Sequence, residues 1–211
     1  MRPIYAVLPA LLLAGIGGAI IAQPAAPAMS DDPAKVVAGT YSADPGHSQV
    51  LFTYKHMGLT LNMGLLSGAT GTLTIDPKSP ASSKVSIDVP INTMKSTIAK
   101  LDEEFLSPMF FDAAKFPTAH FESTSVTVSG KTAKIAGNLT IKGVTKPVTI
   151  DATLLATGNG MMSKKPVVAF QGVAHIKRSD FASGAGKDLA MAVPMVADDV
   201  KLDITAQFDQ K

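Results

Sequence analysis

The chain has 211 residues, a formal net charge of +2, 46% hydrophobic residues and no cysteine. That length fits one domain with a sizeable core, and the missing cysteines exclude disulfide scaffolds, thiol nucleophiles and thiolate metal sites. With arginine only at Arg2 and Arg178, and charged residues at 17%, the chain has neither the basic footprint of a nucleic-acid binder nor the composition of a disordered protein.

The first element is a targeting segment. Met1-Arg2 supplies a short basic start, and Ile4 to Ile21 is apolar apart from glycine and proline. This predicts a secretory signal over residues 1–28, cleaved after Ala22 or Ala28. Pro9 and the Gly15, Gly17, Gly18 group argue against a retained membrane anchor. Residues 29–39, with Asp31, Asp32 and Pro33, have little to bury and are expected to form a flexible leader. The folded domain is expected over 40–211.

From there period-two alternation dominates, the signature of strands with one buried face. Val50, Phe52, Tyr54 and His56 share one face. A longer strand segment spans Met63 to Ile75, where Gly64, Gly68 and Gly71 permit sharp curvature. Val85, Ile87, Val89 and Ile91 alternate next. A single helix is predicted over Thr97–Ser107, with Ile98, Leu101 and Phe105 on one face and Pro108 ending it. Strands resume between Thr118 and Val128, then along Ile135, Gly137, Leu139 and Ile141, and along Val148, Ile150, Ala152 and Leu154. Val168, Phe170, Gly172, Ala174 and Ile176 follow, and the last run is Val200, Leu202, Ile204, Ala206 and Phe208. Ser129-Gly130, Lys142-Gly143 and Asn159-Gly160 supply turns. About eight such strands fit a two-sheet sandwich or a closed antiparallel barrel, and the barrel is preferred because it leaves no edges.

Catalytic patterns are thin. There is no Gly-x-Ser-x-Gly elbow and no His-Glu-x-x-His helix, and Gly130-Lys131-Thr132 lacks the earlier glycine of a P-loop, where Ser125 stands. His47 and His56 are nine apart and predicted on opposite faces, while His120 and His175 have no evident partner. Structural roles suit each histidine better than catalysis or metal ligation. A non-enzymatic protein without catalytic residues, cofactor or metal is expected. Phe105, Phe110, Phe111, Phe116 and Phe121 crowd into one short stretch with Leu101, Leu106 and Met109. They pack over a core or frame an apolar mouth, and binding sites are concave and mostly apolar.

Ordered short motifs then accumulate: His47-Ser48-x-Val50-x-Phe52-x-x-x-His56-x-Gly58, then Phe110-Phe111-Asp112-x-x-Lys115-Phe116-Pro117-x-x-x-Phe121-x-Ser123. Gly137-Asn138-Leu139-Thr140-Ile141-Lys142-Gly143-Val144-Thr145-Lys146-Pro147-Val148 and Arg178-Ser179-Asp180-Phe181 complete the set. Together, over Thr40 to Phe208, they resemble the YceI-like family of secreted, polyisoprenoid-binding proteins. The resemblance implies an all-β, lipocalin-like, eight-stranded antiparallel barrel with a short helix and loop near one mouth. It also implies a periplasmic or extracellular carrier of an isoprenoid or other long-chain lipid that needs no metal. Some family members pair as homodimers, a state this sequence alone does not decide, and a carrier of this kind can touch a membrane transiently. Phe52, His56, Phe121, Phe170 and Ile176 are the expected lumen residues. Phe105, Phe110, Phe111 and Phe116 are the expected lid or rim, and Arg178 a head-group contact or a structural partner of Asp180 or a backbone carbonyl. The family often places a histidine where Glu104 stands here, so local positive charge is lost and a neutral head group such as a quinone is favoured over a pyrophosphate. Ala69, small where aromatics are common, predicts a lumen of altered shape. An exported hydrolase or isomerase of a hydrophobic substrate, and a ligand-free partner-binding barrel, are the alternatives.

Overall fold

The structure is a computed structural model that describes residues 28–182 and 195–211. The expected signal segment lies outside the described residues, save Ala28. Ten strands form one antiparallel sheet: β1 (Gly39–Ala43), β2 (Gln49–His56), β3 (Thr60–Ser67), β4 (Thr70–Ile75), β5 (Lys84–Pro90), β6 (Thr118–Ser129), β7 (Thr132–Ile141), β8 (Val144–Asn159), β9 (Pro166–Lys177) and β10 (Val196–Gln210). Their order is β1-β4-β5-β6-β7-β8-β9-β10-β2-β3, and β1 also pairs with β10, which closes the circuit.

Ten strands make an eight-stranded barrel because two of the eight are broken. β10 pairs with β2 over Val196–Thr205 and with β1 at Phe208–Gln210, so β1 and β2 lie end to end along one neighbour. β3 and β4 are likewise one staggered line, interrupted at Gly68, whose φ of 73° is a conformation glycine adopts without steric cost. The expected Met63–Ile75 strand therefore starts earlier, at Thr60, and is split. Each break lets the sheet turn a barrel corner, as closure of a twisted sheet requires.

The β1–β2 break is secured by short polar side chains. Asp44 accepts from Gly46 N–H (2.8 Å), His47 Nδ1 (2.6 Å) and Gln207 Nε2 (3.2 Å). The buried Ser48 hydroxyl exchanges hydrogen bonds with the Gln207 main chain, both 3.2 Å. His47 thus sits in the turn rather than on a strand. Bulges in β6 (Ser123/Ser125) and β8 (Leu154/Ala156) shift parity, so Val126 and Thr157 point inward although simple alternation would turn them out.

Between β5 and β6 the chain leaves the sheet to cap one barrel end. Ile91 and Met94 are almost fully buried, and Thr93 Oγ1 accepts from Ser67 N–H (3.1 Å) and donates to Pro90 O (2.7 Å). Helix α1 (Ala99–Leu106) follows, with Asp102 reaching back to accept from Ser96 N–H (2.5 Å). The hydrogen bond to Ser96 holds the Asp102 carboxyl below its ordinary range. At the other end, residues 29–38 are not a free leader. Ser30 and Thr157 exchange main-chain bonds (3.0 and 2.7 Å), Lys131 Nζ reaches Asp31 (3.0 Å), and Asp32 caps a 3-10 turn over Pro33–Lys35. Val36 packs on the core around Tyr41, Val168 and Phe208, which gives this short polar stretch an apolar foothold.

Candidate functional site

Inward-facing side chains of every strand except β1 enclose a cavity of about 790 Å³, within the range of roughly 300–1,000 Å³ typical of small-molecule sites. Its walls follow the predicted parity. Val50, Phe52, Tyr54 and His56 line it from β2, Val85, Ile87 and Val89 from β5, Ile135, Leu139 and Ile141 from β7, and Phe170, Ala174 and Ile176 from β9. Gly64 and Gly137 are fixed by close approach: a Cβ at either would enter the ring of Phe52 or Phe121. Two aromatic rings of the wall thus lie flat over glycines across the strand pair.

The α1 end is the aromatic mouth. Phe105 descends from α1 onto Phe52 with ring centroids 5.8 Å apart and planes perpendicular, and meets Phe110 at 5.2 Å. Phe111 approaches Phe52 at 6.4 Å. These offset edge-to-face contacts hold the loop shut against β2. Polar groups gather here: His56, Asn62, Glu104, Lys142 and Arg178 all border the cavity. Two of the cations rest on main-chain oxygen. Lys142 Nζ donates to Pro108 O (2.8 Å), and Arg178 donates from Nε to Ala197 O (3.1 Å) and from Nη2 to Val196 O (2.9 Å). Beside it, Asp198 accepts from Ser179 N–H and Oγ–H, both 2.8 Å. Burial works to raise the Asp198 carboxyl, but the Ser179 bonds and the nearby Arg178 and Lys177 outweigh it and hold it below its usual range.

Of the expected site residues, Phe52, His56, Phe105, Phe110, Phe111, Phe121, Phe170, Ile176 and Arg178 all border this one cavity. Phe116 does not. It lies outside, packed on the turn at Gly143 with the Lys115 ammonium 5.2 Å from its ring. Its place between α1 and β6, with no strand parity to orient it, explains the difference. Arg178 takes backbone carbonyls rather than Asp180. Ala69 lies in the β3–β4 break and is buried without bordering the cavity, so Leu66 and Leu73 shape that wall instead. Pro33 and Val36 at the far end carried no periodic signal, yet both border the cavity. His120 has partners on the outer surface, Asp88 (2.9 Å) and Glu122 (3.8 Å). Among the described residues no group of three or more His, Asp or Glu side chains could hold a metal ion.

A model of the YceI-like domain matches residues 41–208. A UPF0312 protein of Pseudomonas paraeruginosa is 39% identical over 146 residues, covering 69% of this chain and 75% of that protein. The crystal structure of Burkholderia cenocepacia BcnA superposes with a TM-score of 0.65 at 26% identity, covering 78% of this chain and 98% of that one. A polyisoprenoid-binding domain from Saccharophagus degradans, implicated in plant cell wall breakdown, shares the fold with a TM-score of 0.59 at 17% identity, covering 81% and 98%.

Proposed function

The chain belongs to the YceI-like family, and on that premise we propose that it is an exported carrier whose lumen holds an isoprenoid or related long-chain lipid. One observation carries the reading: an apolar cavity of about 790 Å³ runs between a polar-rimmed mouth and a strapped far end. The polyisoprenoid-binding domain of the same fold supports the ligand class. Each five-carbon isoprene unit gains roughly 4 kcal/mol on leaving water, so tail burial is ample. The lipid starts in a membrane, however, where the tail terms nearly cancel. Lumen shape and the polar contacts at the mouth must then select the ligand.

Those contacts favour a neutral head group such as a quinone. Arg178 and Lys142 already donate to carbonyls, and Glu104 adds negative charge at the rim. A pyrophosphate would have to draw both cations off their partners. His56, at the end of β2 on the lumen face, is placed to donate to a head-group oxygen.

Native mass spectrometry of protein exported by a bacterial host, with extraction and identification of any adduct, tests this. A stoichiometric prenyl-chain lipid recovered intact is expected. Ala174→Phe, which projects a ring into the lumen from β9, should fold and lose the adduct. His56→Ala should change which lipid is retained. Lipid-free protein after incubation with quinones and polyprenyl phosphates would sink the carrier reading, and a chemically altered lipid would mean an enzyme instead.

A further inference from the structure

We infer that the β2–β3 hairpin is a membrane-docking tip that sets the α1 mouth on a lipid bilayer. The inference rests on the carrier reading and names the surface from which that site is loaded. From Met57 to Ile75 the sequence has no charged residue. A solvent-facing hairpin is normally polar at its turn. This one instead exposes Met57 (56%), Leu59 (81%), Leu61 (65%) and Met63 (45%). Leu61 and Met63 are on the outer face of β3, since their neighbours Asn62 and Gly64 face inward, so no barrel packing accounts for them. Scattered exposed apolar residues need no explanation, but a contiguous group does.

The patch is continuous with the cavity. Met57 N–H bonds to Met195 O, and His56 pairs with Val196. Met195 is 47% exposed and also borders the lumen, as does Ile98, 59% exposed, at the start of α1. An apolar path therefore leads from the tip over Met195 into the lumen, which the exposed Ile98 also borders. A bilayer is the occupant that such a path suits, because the transferred chain would stay in apolar surroundings. Met161 and Met162 at the opposite end are exposed too, but neither borders the cavity.

Charge selects the orientation. Lys55 pairs directly across from Leu61 on the outer face, beside the apolar tip. Helix α1 exposes Glu103 and Glu104 together with Lys100, and its Asp102 is paired with Lys95 at 3.6 Å. An anionic surface would attract the tip through Lys55, while the mixed charges of α1 add little, so the molecule would dock with the tip leading.

The chain contains no tryptophan, so Leu59→Trp in the full chain creates a single reporter on the tip itself. With phosphatidylcholine–phosphatidylglycerol vesicles its emission should move to shorter wavelength, and brominated lipids should quench it. Adding Leu61→Asp should weaken the apparent vesicle affinity about tenfold or more at the tip. Lys55→Gln should weaken binding to anionic vesicles while leaving binding to purely zwitterionic ones unchanged. Emission that vesicles do not move, or that bromolipids do not quench, overturns the inference. A blue shift that grows with protein concentration in the absence of lipid overturns it in favour of a second copy covering the patch. Native mass spectrometry of the same variants separates the two claims: lipid-free protein that still docks defeats carriage alone, and loaded protein that does not dock defeats docking alone.

Discussion

Asp44 and His47 lie 2.6 Å apart at the surface of the β1–β2 turn and form an ion pair when the imidazole is protonated. The hydrogen bond to Asp44 raises the His47 pKa from its ordinary value. For Asp44, burial pushes upward, but the bonds from His47 and Gly46 outweigh it and hold the carboxyl low. A raised histidine stabilises the fold fully below its unfolded value, about 6.5, and loses that contribution as pH climbs through the folded value. A depressed aspartate stabilises above about 3.9 and loses its contribution as pH falls through the folded value. The pair is therefore worth most from about pH 4 to about pH 6.5. Melting curves of the natural chain and His47→Gln should differ most near pH 5.5 and converge towards pH 8.5. The difference should be small because the His47 side chain is 70% exposed. A gap that widens on the alkaline side would refute this account. The buried Ser48 hydroxyl does not titrate, so its two bonds to Gln207 keep the turn closed at both ends of the range.

At the scale of elements, the strands were legible wherever apolar residues alternated, because a half-buried strand must repeat every two residues. The helix was legible from Leu101, Phe105 and the stop at Pro108, within two residues at its start and one at its end. Three features were not legible, each for a physical reason. The breaks at residues 44–48 and at Gly68 depend on barrel closure, which is not a local property. The bulges in β6 and β8 shift parity by one residue, which alternation alone cannot register. The strap over residues 29–38 has no periodicity, since it lies across strand ends and not in the sheet. Its contacts nevertheless make it a stopper. Tyr41 donates from its hydroxyl to Val37 O (2.6 Å), and Val36 lies on the core beneath. Val36→Ser should lift the strap at a cost of about 1–2 kcal/mol, leaving the barrel folded. Trypsin cleavage after Lys35 should then accelerate, and exchange of bound lipid should quicken. Unchanged cleavage would show that Val36 does not fasten it.

The whole molecule places unusual demands on its packing. A barrel of this strand number can fill its centre with side chains, and this one instead keeps a cavity of about 790 Å³ between two packed clusters. One cluster joins Phe52, Ile91, Met94 and Phe105 under the α1 mouth, and the other joins Tyr41, Leu73, Val168 and Phe208 near the strap. The walls between them lack the close contacts of an ordinary core, so the ligand-free barrel forfeits dispersion energy that a bound chain would restore. Stability and occupancy should therefore be linked. A ligand present at a hundred times its Kd stabilises the folded state by about 2.7 kcal/mol, which for a chain of this size corresponds to roughly 5–10 °C in Tm. Stripped protein should melt lower by about that margin and recover on reloading with the extracted lipid. Ala174→Phe, with its lumen partly filled by its own ring, should melt at one temperature whether or not that lipid is added. If stripping and reloading leave Tm unmoved in the natural chain, the cavity is not where the lipid binds. A barrel whose closed sheet alone holds it together would behave in that way.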